Sequence, residues 1–191
     1  MTKKTASLLL IIGTLLACSK PTQKTNNNVT KPEITNWKSE VETILNLFGH
    51  RNWIVIADGA YPQQSNQAIK TISIDADQIE TVEFISQQIE KAKHVNAKIY
   101  IDKEMAFVPE EDAKGIKTYR NKLNEVLLGK SIKTMLHEDI IQKIDTSAKL
   151  YNVLILKTNL TIPYTSVFFE LECGYWNAEA EEKLRSEFIK Q

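Results

Sequence analysis

His50 and Asp58 stand on either side of the apolar run Trp53-Ile54-Val55-Ile56-Ala57. A run with no polar residue reads as a strand covered on both faces, so the histidine and the carboxylate are delivered at its two ends. Gly59 and Pro62 turn the chain into a loop after Asp58, the kind of segment that presents binding groups. Imidazole titrates near neutral pH, and a carboxylate can orient it or hold a hydroxyl. The pair suits proton shuttling on a small polyhydroxylated molecule. A second imidazole, His137, follows the segment Ile132 to Leu136. The third, His94, falls in the last turn of an expected helix, where a structural role suits the helix dipole.

These residues need a scaffold, and the sequence punctuates one. Asn36 can cap a helix whose apolar positions Trp37, Val41, Ile44, Leu45 and Phe48 keep helical spacing. Strands are expected at Trp53 to Ala57, Ile69 to Ile74, Lys98 to Ile101, Ile132 to Leu136, Asn152 to Leu156 and Ser166 to Leu171. Asp77-Gln78-Ile79-Glu80 has the form of a capping box opening a helix with Ile79, Val82, Ile85 and Ile89 on one face. Further helices are expected at Ala113 to Leu127 and Asp139 to Lys149. Strands alternating with helices predict an α/β fold in three layers, a largely parallel or mixed central sheet with helices on its faces. Asn177 to Gln191 is mostly charged, with Ala180, Leu184 and Phe188 at helical spacing. It reads as a polar C-terminal helix docked along a narrow stripe.

The amino terminus has a different character. Lys3 and Lys4 precede the apolar stretch Ala6 to Leu16, the charged start and short greasy core of a signal peptide over residues 1–17. Leu15-Leu16-Ala17-Cys18 resembles a bacterial lipobox, which implies cleavage before Cys18 and its lipidation. Ser19 after the cysteine resembles lipoproteins sent on to the outer membrane, which implies a lipid-anchored protein of the bacterial envelope. Residues 18–35, with Asn26-Asn27-Asn28 and two prolines, read as a flexible tether, leaving 36–174 as the main domain and 175–191 as the terminal helix. Lys and Arg balance Asp and Glu at 24 each. Cleavage would remove two lysines and no acid, a net charge of about −2, and no basic run interleaved with aromatics points to nucleic acid. Lipidated Cys18 would leave Cys173 without a disulfide partner, and Cys173, at the end of the apolar segment Val167 to Leu171, reads as a buried structural thiol.

In order, the polar marks are Gly49-His50, Asp58 with Pro62 four residues on, His137-Glu138, and Pro163-Tyr164-Thr165-Ser166 before an apolar strand. This order resembles the family of D-ribose pyranase and L-fucose mutarotase from about Glu40 to Gly174. The resemblance implies interconversion of the cyclic forms of a free monosaccharide without metal or cofactor. It makes His50 the general acid and Asp58, His137, Tyr164 and Ser166 sugar-contacting positions. Trp53, Tyr61 and Tyr164 could offer apolar faces to the sugar's C–H surface. Ser166 falls where the family usually has Asn, and Asn52 where it commonly has an acid. His137-Glu138 looks like the ribose branch and Tyr119-Arg120-Asn121 like the fucose branch, so the sugar stays open. So do two other readings, a non-catalytic carbohydrate-binding lipoprotein and an oligomeric interaction protein on the same fold. Finally, the eight residues from His50 to Asp58 would span ~26 Å if extended, too far for one sugar to touch both. Either the chain folds back around the strand, or each residue serves a different pocket of a homo-oligomer, which is what the resemblance implies.

Overall fold

The computed structural model describes residues 36–190; the signal peptide, Cys18 and tether expected over residues 1–35 lie outside the described residues. Helix α1 (Trp37–Leu47) opens at Asn36, whose side chain accepts from the Ser39 N–H, and turns Val41 and Leu45 inward. Strands β1 (Trp53–Ala57) and β2 (Ile69–Ser73) follow. Helix α2 (Gln78–Lys91) starts where the Asp77 carboxylate accepts from the N–H groups of Ile79 and Glu80, satisfying donors that the first helical turn leaves free. Then come β3 (Val95–Asp102), a 3-10 turn at Lys103–Phe107, α3 (Ile116–Val126), β4 (Ile132–Met135), α4 (His137–Ser147), β5 (Val153–Lys157), β6 (Val167–Cys173) and α5 (Ala178–Phe188).

The six strands form one sheet in the order β2-β5-β1-β6-β3-β4. β1, β2 and β5 are mutually parallel, as are β3 and β4, while β6 lies antiparallel between β1 and β3. The sheet is therefore mixed. Every residue of β1 is buried, as its apolar run requires at the centre of a covered sheet. Its side chains divide between two cores by the period-two rule. Ile54 and Ile56 pack with residues of α1, α2 and α3, including Val41, Val82, Ile85 and Leu123. Trp53, Val55 and Ala57 pack on the other face with Ile140 and Ile144 of α4. Three layers result.

Two expectations change. Trp53 is fully buried, stacked on Tyr100 at 5.6 Å with its indole N–H on the Ser147 hydroxyl, so it is a core residue and offers no face to a ligand. In α5, Leu184 and Phe188 are 41% and 64% exposed and no residue is buried, so the apolar stripe is not covered by the described residues. The burial expected for Cys173 also changes: at the end of β6, past the buried Leu171, it is a half-buried free thiol.

One buried amide joins the layers. Gln78, 1% exposed, donates from Nε2 to the Tyr119 hydroxyl (3.0 Å) and the Thr165 carbonyl (2.6 Å), and its Oε1 accepts from the Thr158 hydroxyl (2.8 Å). The Tyr119 hydroxyl donates onward to the same Thr165 carbonyl at 2.7 Å. Replacing Gln78 by Ala leaves these buried groups short of partners, which costs about 1–3 kcal/mol. Urea unfolding should show a lower midpoint at unchanged slope; an unchanged midpoint would mean the network contributes nothing.

Candidate active site

Because β6 runs against its neighbours, its amino end meets the carboxyl ends of the other five strands along one edge of the sheet. In open α/β sheets that edge is where ligands bind. Asp58 leaves β1 there, Asp102 ends β3, His137 opens α4 just past β4, and Tyr164 precedes β6. The loop after Asp58 is drawn to the loop after β5 by the Gly59 N–H, which donates to the Leu160 carbonyl at 2.7 Å. A Cβ at Gly59 would lie 3.2 Å from that carbonyl oxygen, which is why the close approach uses glycine. Between these loops lies a cavity of about 550 Å³ lined by Asp58, Tyr61, His137, Ile162, Pro163 and Tyr164 among others. A second hollow of about 370 Å³ shares Tyr61 and His137 and adds Gln64, Glu138 and Asp145. The larger one has the size range of a small-ligand site.

His137 is held from both ends. Its ring Nδ1 lies 3.0 Å from Oδ1 of Asp102, and its backbone N–H donates to both oxygens of Glu104 at 3.1 Å. Glu104 belongs to the 3-10 turn and caps the amino end of α4, where a carboxylate is favoured by the helix dipole. That turn is itself pinned by Arg120, whose Nη1 donates to the carbonyls of Met105 and Ala106 at 2.8 and 3.1 Å. Asp102 is 1% exposed. Burial pushes its carboxyl above the ordinary range, an effect opposed by the bond to His137. That same bond, against partial burial, raises His137 above its ordinary 6.5, with Glu104 and Asp58 adding to the negative field. The ring of Tyr164 meets His137 edge to face at 5.9 Å. Tyr164 has a positive φ of 56°, a left-handed conformation that is strained for a non-glycine residue and collects at functional sites. The Tyr61 hydroxyl is buried without a hydrogen-bond partner among the described residues, and burial pushes its pKa up to about 12. It stays protonated, available as a donor.

Of the residues singled out in the sequence, Asp58, His137 and Tyr164 come together on the cavity. Asp58 also closes its own turn, Oδ1 accepting from the Ala60 N–H at 2.8 Å. Ser166 is 1% exposed and not among the cavity-lining residues. His50 is exposed in the turn before β1, at the opposite edge of the sheet. The five residues of β1 at about 3.3 Å each put roughly 17 Å between the two edges, so one chain does not bring His50 to Asp58. The turn carrying His50 is built with care. Asn52 Oδ1 accepts from the Gly49 N–H at 2.8 Å while its Nδ2 donates to the Asn152 carbonyl at 3.0 Å; a carboxylate at Asn52 could make only the first of these. Arg51, next to His50, holds a φ of 78°, the second non-glycine left-handed residue among those described. His94 is structural, its Nε2 3.1 Å from the carbonyls of Leu45 and Phe48. Asp102 and Glu104 were not singled out, although Asp102 closes the strand Lys98-Ile99-Tyr100-Ile101 just as Asp58 closes β1.

Fold and cavity together define an α/β protein with a cavity at the carboxyl edge of a mixed sheet, where Asp58, His137 and Tyr164 meet apolar lining residues. Within that class, residues 31–173 match the RbsD / FucU transport protein family, and the chain belongs to it. No curated protein matches the sequence. Among solved structures, Bacillus subtilis RbsD complexed with D-ribose is 19% identical with a TM-score of 0.50, covering 73% of this chain and 94% of its own. The fucose mutarotase of Streptococcus pneumoniae in complex with L-fucose is 23% identical with a TM-score of 0.48, covering 74% and 97%. FucU from Bifidobacterium longum is 16% identical with a TM-score of 0.48, covering 70% and 94%. At 19% identity the likeness to the Bacillus subtilis structure is one of fold.

A raised pKa in the folded state means the native protein binds that proton more tightly than the unfolded chain. His137 therefore contributes stability that is fully present below its ordinary 6.5 and is lost as pH rises through its higher folded value. Urea unfolding between about pH 6 and about pH 9 should show this decline, and His137→Gln should flatten it. A wild-type curve already flat over that range would show that the pair is not coupled to folding.

Proposed function

We propose that the protein binds a free monosaccharide in the carboxyl-edge cavity and interconverts its cyclic forms by acid/base-catalysed ring opening. The observation that carries this reading is an imidazole braced on a buried carboxylate and opening into a cavity that also holds Asp58 and the phenol of Tyr164. Family membership supports it, as does the printed description of one fold neighbour as a complex with D-ribose. In ring opening, the anomeric hydroxyl gives up its proton and the ring C–O bond breaks. The ring oxygen keeps the electron pair and gains a proton, and an aldehyde forms. Closure on the other face, or by another hydroxyl, gives the new cyclic form. General acid/base catalysis contributes about 10²- to 10⁴-fold to such a step. Asp58 and Tyr164 are placed to hold hydroxyls, and Ile162 and Pro163 offer apolar surface.

His50, on the opposite edge, takes part if a second copy places it at the cavity mouth. The reading therefore includes a homo-oligomer whose site draws on two chains. With Ser166 buried and one imidazole per cavity, a carbohydrate-binding protein without turnover is the second reading. Saturation-transfer NMR on a panel of free monosaccharides separates the two: binding with accelerated exchange between anomer signals supports the enzyme, and binding without exchange supports the binder. His50→Ala should abolish the acceleration with the fold intact, and mixing it with Asp58→Ala protein should regenerate some sites after subunit exchange. Wild-type exchange in His50→Ala, or a strict monomer that still converts sugar, would remove the shared site.

The lipobox reading of Cys18 adds that this chemistry takes place on a lipid-anchored protein of the bacterial envelope. Mass spectrometry of the protein extracted from membranes should then find a chain beginning at acylated Cys18. An intact, unmodified amino terminus would sink the anchor and leave the sugar chemistry untouched.

A further inference from the structure

We infer that His137 is itself a proton-transfer group of the site and that Asp102, which does not line the cavity, is its positioning residue. This rests on the sugar-interconverting reading above and assigns His137 more than contact with sugar. Asp102 ends β3 beneath the cavity with a side chain closed to solvent. One of its oxygens meets His137 Nδ1 at 3.0 Å, and the other has no partner among the described residues. Breaking or leaving unpaired a buried carboxylate is costly, and an ion pair of this kind is weak as a stabilising device. Its evident consequence is the state of the imidazole. An ionised carboxylate accepts only, so the Nδ1 proton is fixed on the ring and Nε2 becomes the nitrogen that gains and loses protons. The backbone of His137 is separately locked by Glu104, so the ring has little freedom to swing away.

The groups facing the imidazole from the surrounding elements are Asp102 of β3, Glu104 of the 3-10 turn, Asp58 and Tyr61 of the loop after β1, and Tyr164 of the loop before β6. All are acidic or neutral, and the three carboxylates, Asp102 foremost, favour the protonated ring against its partial burial. In the ring-opening direction, neutral His137 takes the anomeric hydroxyl proton on Nε2 as the C–O bond breaks, and a second group, His50 of a neighbouring copy in the reading above, protonates the ring oxygen. In closure His137 returns the proton to the aldehyde oxygen as the ring hydroxyl attacks the carbonyl carbon, and the second group takes back the proton of that hydroxyl. No other reactant is consumed.

The test is Asp102→Asn, which keeps the size of the side chain and removes its charge. Two readouts are taken on the full chain: the NMR titration of the His137 ring without sugar, and the pH profile of anomer exchange with the sugar that wild-type protein converts. We expect the His137 titration to fall below its wild-type midpoint, and exchange to drop by about 100-fold or more, with its acidic limb displaced in the same direction. Asp102→Glu, which restores the charge, should recover part of the rate. An unchanged His137 titration, or exchange at the wild-type rate and pH profile in Asp102→Asn, would overturn the inference. If the variant unfolds, His137→Gln replaces it, and wild-type exchange there is equally fatal. Wild-type protein that exchanges no sugar at all would instead sink the functional reading, and the catalytic role with it.

Discussion

The site depends on a single constraint: the polar backbone at the carboxyl edge must be satisfied away from water, and Gln78 does it. One side chain from the first turn of α2 serves the hydroxyl that follows β5, the tyrosine of α3 and the carbonyl that precedes β6. A buried carbonyl such as that of Thr165 is expensive to leave unpaired, so the chain before β6 can pass under the cavity only in a conformation that meets this amide. Tyr164 is the next residue outward, and its left-handed backbone is the local cost of that path. Asp77, which starts α2 by capping it, therefore also sets where the cavity wall stands.

The second organising element is electrostatic. Carboxylates at Asp58, Asp102 and Glu104 converge on one imidazole and a helix amino terminus. The helix end accepts Glu104 and the imidazole accepts Asp102, so the negative charge is distributed over partners that favour it. Arg120 secures this arrangement indirectly, through the carbonyls of the 3-10 turn that carries Glu104. Tyr119 and Arg120, adjacent in α3, thus support two different segments of the same site.

Much of this was legible in the residues. The fully apolar run of β1, the caps at Asn36 and Asp77 and the alternation of elements predicted the layered α/β fold, because each rests on short-range chemistry. The spacing of His50 and Asp58 predicted that one extended strand would keep them apart, and β1 does so. The direction of β6 was not legible, since Val167 to Cys173 is apolar enough to be a central strand of either sense and the reversal comes from its neighbours. β3 begins at Val95 rather than Lys98, its first residues paired to the end of β6. The α4 helix begins at His137 rather than Asp139 because Glu104, far away in sequence, supplies its cap. Asp102 was hidden for the same reason: a carboxylate at a strand end declares its partner only when the fold brings β4 and α4 beside it. Ser166 and the apolar stripe of α5 show the converse, residues whose type suggested contact and whose surroundings differ.

The central claim is that a monosaccharide sits against His137. The most direct measurement is histidine ring NMR on the protein titrated with the sugar it binds, the three imidazoles being assigned by single substitutions. The account predicts that the His137 signals move with saturation while those of His94, half-buried against the end of α1 far from the carboxyl edge, do not. Saturable sugar binding that leaves the His137 ring signals in place would contradict it.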